Sequence, residues 1–399
     1  MTKSDDKRVP ALRFKGFTDD WEQRKFESLI YPEKIKNKNN LQLPAYSISN
    51  KNGFIAQTDQ FGKDNTYSKT DKKTNYIVNP GAFAYNPARI NVGSIGYQNL
   101  ATPVLVSSLY EVFKTNSQIN DLFLIYWFKT DKFFNQIKKY EEGGVRQYYF
   151  LDKLLFSEII IPKDAREQQK ISKILKKLDY LISLQQRKLE YFMTIKAELL
   201  RSIFPNTIGK RGLHISDQPW KLQTMNDIFK EKNIKNEHGK LLSVSISKGI
   251  YPFSENERKN NSSNNKSNYK EVKYNDIAYN SMRMWQGALG VSKYDGIVSP
   301  AYTVITAKKQ ENPLFYYYYF KNKRMLFNFR QHSQGLTSDT WNLKFPLFKK
   351  IIIQTPISKK EEQIIANLFK TLDQNIIYTK TKIEKFNYIK QFLLQNMFI

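Results

Sequence analysis

The 399-residue sequence contains no cysteine. That excludes disulfide staples, thiolate nucleophiles and thiolate metal ligands, and it fits a reducing compartment. Histidine is almost as scarce. His214, His238 and His332 stand alone, so no sequence-local pair suggests a metal site, and each reads as a structural or exposed residue. Long hydrophobic runs are missing too. The greasiest stretches, Leu122–Phe128 and Leu314–Phe320, are far shorter than the roughly 20 residues needed to span a bilayer. Met1–Phe14 lacks the apolar core of a signal peptide. The expectation is a soluble, cytoplasmic protein.

Negative charge is the other shortage. Asp and Glu number 37 against 64 Lys and Arg, a formal net charge of +27. Such an excess favours a polyanionic partner, because lysines and arginines neutralise phosphates and release condensed counterions. The positive residues run throughout the chain. A membrane-surface protein would concentrate them in one amphipathic helix. A lysine-rich genome is the plainer explanation of the charge.

What the chain has in abundance is itself. A shift of 194 positions lays Arg166–Phe204 over Lys360–Phe398 with about fifteen identities in 39 positions, among them Glu167/Glu361, Asp179/Asp373, Lys196/Lys390 and Phe204/Phe398. Both copies are helical by period. Ile171, Leu175, Leu178, Ile182, Gln185, Leu189, Phe192, Lys196, Leu199 and Ile203 follow a 4,3,4,3 spacing. So do Ile365, Phe369, Leu372, Ile376, Thr379, Ile383, Phe386, Lys390, Leu393 and Met397. An apolar repeat of 3.5 residues makes a narrow seam that fits a partner helix, as in a coiled coil. Two amphipathic helices, each packed on its own domain, are the alternative. About 38 residues at 1.5 Å rise predict a rod near 57 Å.

The segments before the helices also match. "DLFLIYWFKTDKFFNQI" (Asp121–Ile137) lies over "PLFYYYYFKNKRMLFNF" (Pro313–Phe329), and each is expected to be one buried helix. "GAFAYNPARINVGSIG" (Gly81–Gly96) lies over "NDIAYNSMRMWQGALG" (Asn275–Gly290), pairing Tyr85/Tyr279, Asn86/Asn280, Arg89/Arg283, Gly93/Gly287 and Gly96/Gly290. "SIS" recurs at Ser47–Ser49 and Ser245–Ser247, and Trp21 corresponds to Trp220. Short β-branched and aromatic runs between Gly, Asn and Pro turns predict strands here. The fold class is therefore α+β, with an internal repeat of domain, long helix, domain, long helix. A pseudo-twofold relation would run the two helices antiparallel. The Asn/Ser/Lys tract Asn260–Lys270 reads as a surface loop.

Catalytic signatures are absent. Gly62-Lys63, Gly209-Lys210 and Gly239-Lys240 lack the spacing and hydroxyl of a phosphate-cradling loop. Asn79-Pro80 and Asn86-Pro87 lack the second proline of an adenine-methyltransferase loop. Glu271-Val272-Lys273 with Asp276 is half of a Mg²⁺ nuclease motif and reads as a solvated strand edge. What remains is a set of residues able to meet base edges or stack on them: Lys51, Asn52, Tyr67, Arg89, Arg146, Tyr148, Lys248, Tyr251, Arg283 and Trp285. Arg89 and Arg283 stand out because they recur at matched positions; ion pairs inside each domain are their alternative use.

The pattern resembles the specificity subunits of type I restriction–modification systems. "PALRFKGFTDDWEQRKFESL" (Pro10–Leu29) resembles that family's start, and "GIVSPAYTV" (Gly296–Val304) a strand of its target-recognition domains. "IIIPKDAREQQKISKIL" (Ile159–Leu175), repeated as "IIIQTPISKKEEQIIANLF" (Ile351–Phe369), resembles the proline-then-Glu-x-x-Gln start of its central helices. "KQFLLQNMFI" resembles the family's ending, which implies a complete chain. Domain one has "LVSSLYEVF" where domain two has the fuller "IVSPAYTVI", and domain two has "GLTSDTW" where domain one has the more family-like "GGVRQYYF".

The resemblance implies target-recognition domains at 1–162 and 220–356, central helices at 163–204 and 357–399, and a linker at 205–219. It implies a non-catalytic chain, without its own cofactor, that binds a two-part site on double-stranded DNA. The expected partners are methylation subunits, two in number, which bind S-adenosylmethionine, and ATP- and Mg-dependent restriction subunits. A stand-alone DNA-binding protein and a fused restriction–methylation enzyme are the competing readings.

Overall fold

The computed structural model describes residues 8–50, 52–61, 72–140, 148–204, 213, 218–255 and 265–399. The chain divides into two compact units, Met1–Gln185 with Lys382–Ile399, and Gln186–Thr381. Each unit therefore takes half of each long helix.

In chain order, unit 1 contains β1 (Glu22–Lys25), β2 (Ile30–Pro32), β3 (Ile35–Lys36), β4 (Tyr46–Ser49), β5 (Gly53–Ala56), α1 (Gln57–Phe61), β6 (Tyr76–Val78), β7 (Phe83–Tyr85), β8 (Ile95–Tyr97), β9 (Val104–Val106) and β10 (Glu111–Thr115). Then come α2 (Asp121–Trp127), α3 (Asp131–Tyr140), α4 (Leu151–Phe156), β11 (Glu158–Ile161) and the start of α5 (Ala165–Ile203). Unit 2 repeats the plan with β12 (Trp220–Thr224), α6 (Met225–Ile228), β13 (Phe229–Glu231), β14 (Leu242–Ser245), β15 (Gly249–Pro252), β16 (Lys270–Val272), β17 (Ile277–Asn280), β18 (Leu289–Val291), β19 (Gly296–Val298) and β20 (Tyr302–Ala307). It continues through α7 (Pro313–Phe320), α8 (Lys323–Gln331), α9 (Phe345–Phe348), β21 (Ile352–Pro356) and most of α10 (Lys359–Asn396).

The central sheets have matching orders, β2-β10-β7-β8 and β13-β20-β17-β18. Their registers also match: Ala84 faces Val112 in unit 1 as Ala278 faces Val304 in unit 2. Alternate residues face opposite sides of a strand, so each sheet feeds two cores. Phe83, Tyr85 and Phe113 join the helices in the larger core of unit 1, while Ala84 and Val112 face a smaller one with Val78, Val104 and Ile48. In unit 2, Ile277, Tyr279 and Ile305 face the helices, whereas Ala278 and Val304 face Leu242, Val272 and Val298.

The two segments expected to be single helices are each two. Asn120 caps α2 by accepting from the Phe123 amide at 3.1 Å, and Asn312 caps α7, where Pro313 occupies the first turn. α2 ends at Trp127 with Phe128 as its C-cap, and α7 at Phe320 with Lys321 as its C-cap. A second short cap then starts the next helix; Asn322 accepts from the Arg324 amide at 2.8 Å. The period of the aromatic residues hides this break, because both pieces bury their rings in one core.

Every predicted seam position is buried or half-buried. Ile171, Leu175, Leu178, Ile182, Ile365, Phe369, Leu372 and Leu393 are buried, and Leu189, Phe192, Leu199, Ile376, Ile383 and Phe386 are half-buried. Within unit 1, Lys390 donates to Asp179 at 2.5 Å, while Phe398 packs on Phe123 beside the capping end of α2. Within unit 2, Lys196 donates to Asp373 at 2.5 Å and Phe204 stacks on Phe369. In each unit one helix thus descends as the other ascends. The two lysines that interrupt the seam thus have carboxylate partners, and each carboxylate takes a second bond: Tyr126 donates to Asp179 and Tyr318 to Asp373, both at 2.9 Å. Burial, reinforced by the adjacent carboxylate, holds both phenols well above their ordinary titration range.

The opening motif has a structural use. Arg13 makes a two-pronged ion pair with buried Glu167 at 2.7 and 2.9 Å, and the Leu12 amide donates to the Asn396 carbonyl at 2.8 Å. In unit 2 the Leu213 amide donates to the Ser202 carbonyl at 2.6 Å, at the repeat-related place. The expected linker 205–219 otherwise lies almost wholly outside the described residues.

Candidate nucleic-acid interface

Three loops meet in each unit, at the sheet edge formed by β8 or β18. The first is the tip of the β4–β5 or β14–β15 hairpin. Ser49 Oγ accepts from the Asn52 amide and Ser245 Oγ from the Lys248 amide, both at 3.0 Å. Gly53 and Gly249 close the turns at φ +64° and +65°. Ser49 pairs with Gly53 as Ser245 pairs with Gly249. Ser47–Ser49 therefore corresponds to Ser243–Ser245, and the "SIS" match to Ser245–Ser247 is two residues out of register. The turn chemistry, rather than the strand letters, carries the equivalence.

The second loop is the Tyr-Asn…Arg…Gly segment. Asn86 Oδ1 accepts from the Ala88 amide and Asn280 Oδ1 from the Met282 amide, both at 3.0 Å, so each Asn folds a turn on itself. Ile90 and Met284 plug the core behind the turn, and Gly93 and Gly287 end it at φ +85°. Gly96 and Gly290 let the hairpin tip lie directly on the next strand. A Cβ on Gly290 would sit 2.5 Å from the Ile250 amide nitrogen; on Gly96 it would meet the edge of the Phe54 ring at 3.0 Å. The matched glycines are thus explained by backbone geometry. The matched arginines are not: Arg89 is exposed and has no partner among the described residues, and Arg283 makes only a loose ion pair with Asp339 at 3.8 Å.

The third loop joins the second through the backbone. The Tyr149 amide donates to the Pro87 carbonyl at 3.1 Å, and the Leu343 amide to the Ser281 carbonyl at 2.9 Å. Tyr148 stacks on Phe150 with ring centres 5.5 Å apart. Trp285 meets Trp341 edge-on at 5.1 Å, and the Arg330 guanidinium stands 4.8 Å over the Trp341 ring. Lys248 lies over Tyr251 at 5.2 Å.

Asn52, Arg89 and Tyr148 thus gather on one set of loops, and Lys248, Tyr251, Arg283 and Trp285 on the other. Lys51, Tyr67 and Arg146 lie outside the described residues, as do residues 260–264 of the Asn260–Lys270 tract. Sequence reasoning missed Trp341 and Arg330; the signal was a tryptophan in a Gly/Ser/Thr loop, already visible in "GLTSDTW". Exposed cations beside half-open rings can pair with phosphates or base edges and stack on bases.

Acid–base chemistry has no comparable footing. Lys232 sits 3.1 Å from Glu271 and 2.9 Å from Asp276, occupying the space between the two carboxylates. Among the described residues no three His, Cys, Asp or Glu are grouped to hold a metal. His238 and His332 are exposed, and His214 lies outside the described residues. Among the described residues no helix is long and apolar enough to cross a membrane.

Comparison with known proteins accounts for this doubled, non-catalytic arrangement. The family model described as the type I restriction modification DNA specificity domain matches residues 19–191 and again 217–388. The structure is similar to the S subunit of the M. genitalium type I restriction–modification system, with TM-score 0.61, 14% identity, 98% of this chain and 99% of that chain covered. It is also similar to a chain from a study of complex assembly and conformational transition in the type I R-M system, with TM-score 0.51, 12% identity and coverage of 94% and 96%. An HsdS subunit from Thermoanaerobacter tengcongensis aligns at TM-score 0.49, 11% identity, 95% and 96%. No curated protein sequence matches the chain. With two copies of the domain spanning most of its length, the chain belongs to the type I restriction–modification DNA specificity family and is a non-catalytic, DNA-recognising specificity subunit.

Proposed function

We propose that each unit reads one half of a two-part, asymmetric DNA sequence and that the chain directs partner subunits to methylate adenine there or to cleave. One observation carries the reading. The same three-loop platform is built twice on matching sheets, yet the outward residues around the matched Arg89 and Arg283 differ: Asn52 and Tyr148 on one, Lys248, Trp285 and Trp341 on the other. Equal scaffolds with unequal faces suit two different half-sites. Lys51, Tyr67 and Arg146 complete the first face in this proposal. Methylation subunits, two per chain, dock along α5 and α10 and bring S-adenosylmethionine; restriction subunits bring ATP and Mg chemistry. The complex works in the cytoplasm.

Mapping methylated adenines in cells that carry the chain, and in cells carrying a hybrid with residues 1–162 taken from a relative, tests the proposal. The hybrid should change one half of the methylated sequence and leave the other half and the spacer. Change in both halves, or in neither, refutes it.

A further inference from the structure

The two units fasten the hairpin tip to the arginine turn by different means. In unit 1 the buried Ser94 hydroxyl donates to the Ile48 carbonyl at 2.8 Å, directly behind the tip. The equivalent residue in unit 2 is Ala288, which has no hydroxyl. The two loops are tied there by a different group: Lys321, at the end of α7, sends its ammonium to the Ile246 carbonyl in the hairpin tip at 3.0 Å and to the Gly287 carbonyl in the turn at 2.6 Å. Its stem packs beneath Gly287, where a side chain's Cβ would stand 3.6 Å from the Lys321 Cδ. Lys129, the repeat counterpart, lies over the Tyr126 ring at 5.2 Å, and among the described residues no bond joins it to either loop.

We propose that Lys321 is a positioning residue for DNA sequence discrimination, a clip that sets the distance between the Lys248 hairpin and the Arg283–Trp285 turn in unit 2 alone. This rests on the reading above, in which those loops face the bases. Base-edge contacts tolerate little displacement, because each depends on hydrogen-bond length and angle. Two charge-assisted bonds to the carbonyls of two separate loops supply that rigidity, and among the described residues no side chain of unit 1 duplicates the arrangement. The charges of Lys196 on α5 and Asp373 on α10 act on the Lys321 ammonium through space, and the Tyr317 ring of α7 lies 5.5 Å from it. Burial, together with the Lys196 charge and against the opposing pull of Asp373, brings the ammonium down to about 8.

The test uses the chain assembled with its methylation subunits. Methylation rates are compared on a duplex carrying the native site and on duplexes with one base pair changed in either half. The residues 1–162 hybrid identifies which half unit 2 reads. Lys321→Met should lower discrimination about tenfold in that half and leave the other at its wild-type value. Lys321→Arg, which still offers two donors, should restore it. In the wild type, discrimination in the unit 2 half should decline as pH rises through about 8, while Lys321→Arg should stay level. Loss in both halves, loss in neither, or a Lys321→Arg variant that behaves like Lys321→Met overturns the proposal. Should Lys321→Met fail to assemble, the pH comparison between wild type and Lys321→Arg decides. A wild-type complex without two-part preference overturns the underlying reading, and Lys321's role with it.

Discussion

Lys390 near the end of α10 is paired with Asp179 in the first half of α5, 2.5 Å apart and 211 positions away in sequence. The repeat places Lys196 against Asp373 in the same way. The residues that looked like interruptions of the seam are its register marks. An apolar 3.5-residue repeat tolerates slippage by a heptad, whereas a Lys–Asp pair flanked by a buried tyrosine does not.

Reversing one charge should therefore cost more than neutralising it. Lys390→Asp places two carboxylates together, and the double variant Lys390→Asp with Asp179→Lys restores an opposite-charge pair. Both side chains are partly solvated, 18% and 35% exposed, so the coupling should be modest, about 1 kcal/mol or less. Thermal unfolding of the four-member cycle measures it. No recovery in the double variant would remove the register argument.

Charge inside the seam is another matter. Leu178 and Leu372 are 8% and 9% exposed. Leu178→Asp or Leu372→Asp buries a carboxylate without a partner, at a cost of about 3–5 kcal/mol. Methylation at both half-sites should fall together. Undiminished methylation at the native sequence would contradict the seam assignment.

Gly96 and Gly290 occupy the same place but should respond unequally to alanine. The new methyl on Gly290 meets backbone at 2.5 Å, which cannot swing aside, and Gly290→Ala should cost about 1–3 kcal/mol. On Gly96 it meets a ring edge at 3.0 Å, and the ring can shift. Comparing denaturant midpoints of the two variants checks the order; equal losses would mean the hairpin tips do not rest on these strands.

Binding should weaken steeply with salt. With 64 Lys and Arg in the chain, several phosphate contacts are expected, giving a log–log slope of several units, since each neutralised phosphate contributes about −0.9. Titrating labelled duplex with the assembled complex at increasing salt reads the slope. A slope near zero would leave the positive charge without a DNA role.

The long helices and the Tyr-Asn…Arg…Gly repeat were legible because each depends on local spacing, whereas the caps that split the aromatic segments were not. Ile171 to Ile203 announce a helix by period alone, and Gly93/Gly287 announce left-handed turns by matching. The hairpin register was not legible. "SIS" to "SIS" is the better letter match, yet Ser245 is fixed by what its hydroxyl caps, which depends on Lys248 and Gly249 rather than on identity. Lys321 was invisible for a different reason. Its significance comes from the carbonyls of Ile246 and Gly287, 75 and 34 positions away, which only the fold brings to one ammonium.

The division of the chain has a consequence for biogenesis. Unit 2 is one continuous stretch, but unit 1 draws Leu393, Leu394, Met397 and Phe398 into a core begun by Trp21 and Phe26. Domains ordinarily fold as they emerge from the ribosome, first made, first folded. Here the unit begun first lacks part of its core until Leu393–Phe398 have been synthesised, after every residue of unit 2. Removing the final turn of α10 strips residues from the core built around Trp21 and Phe26, while the core of unit 2 keeps all of its own.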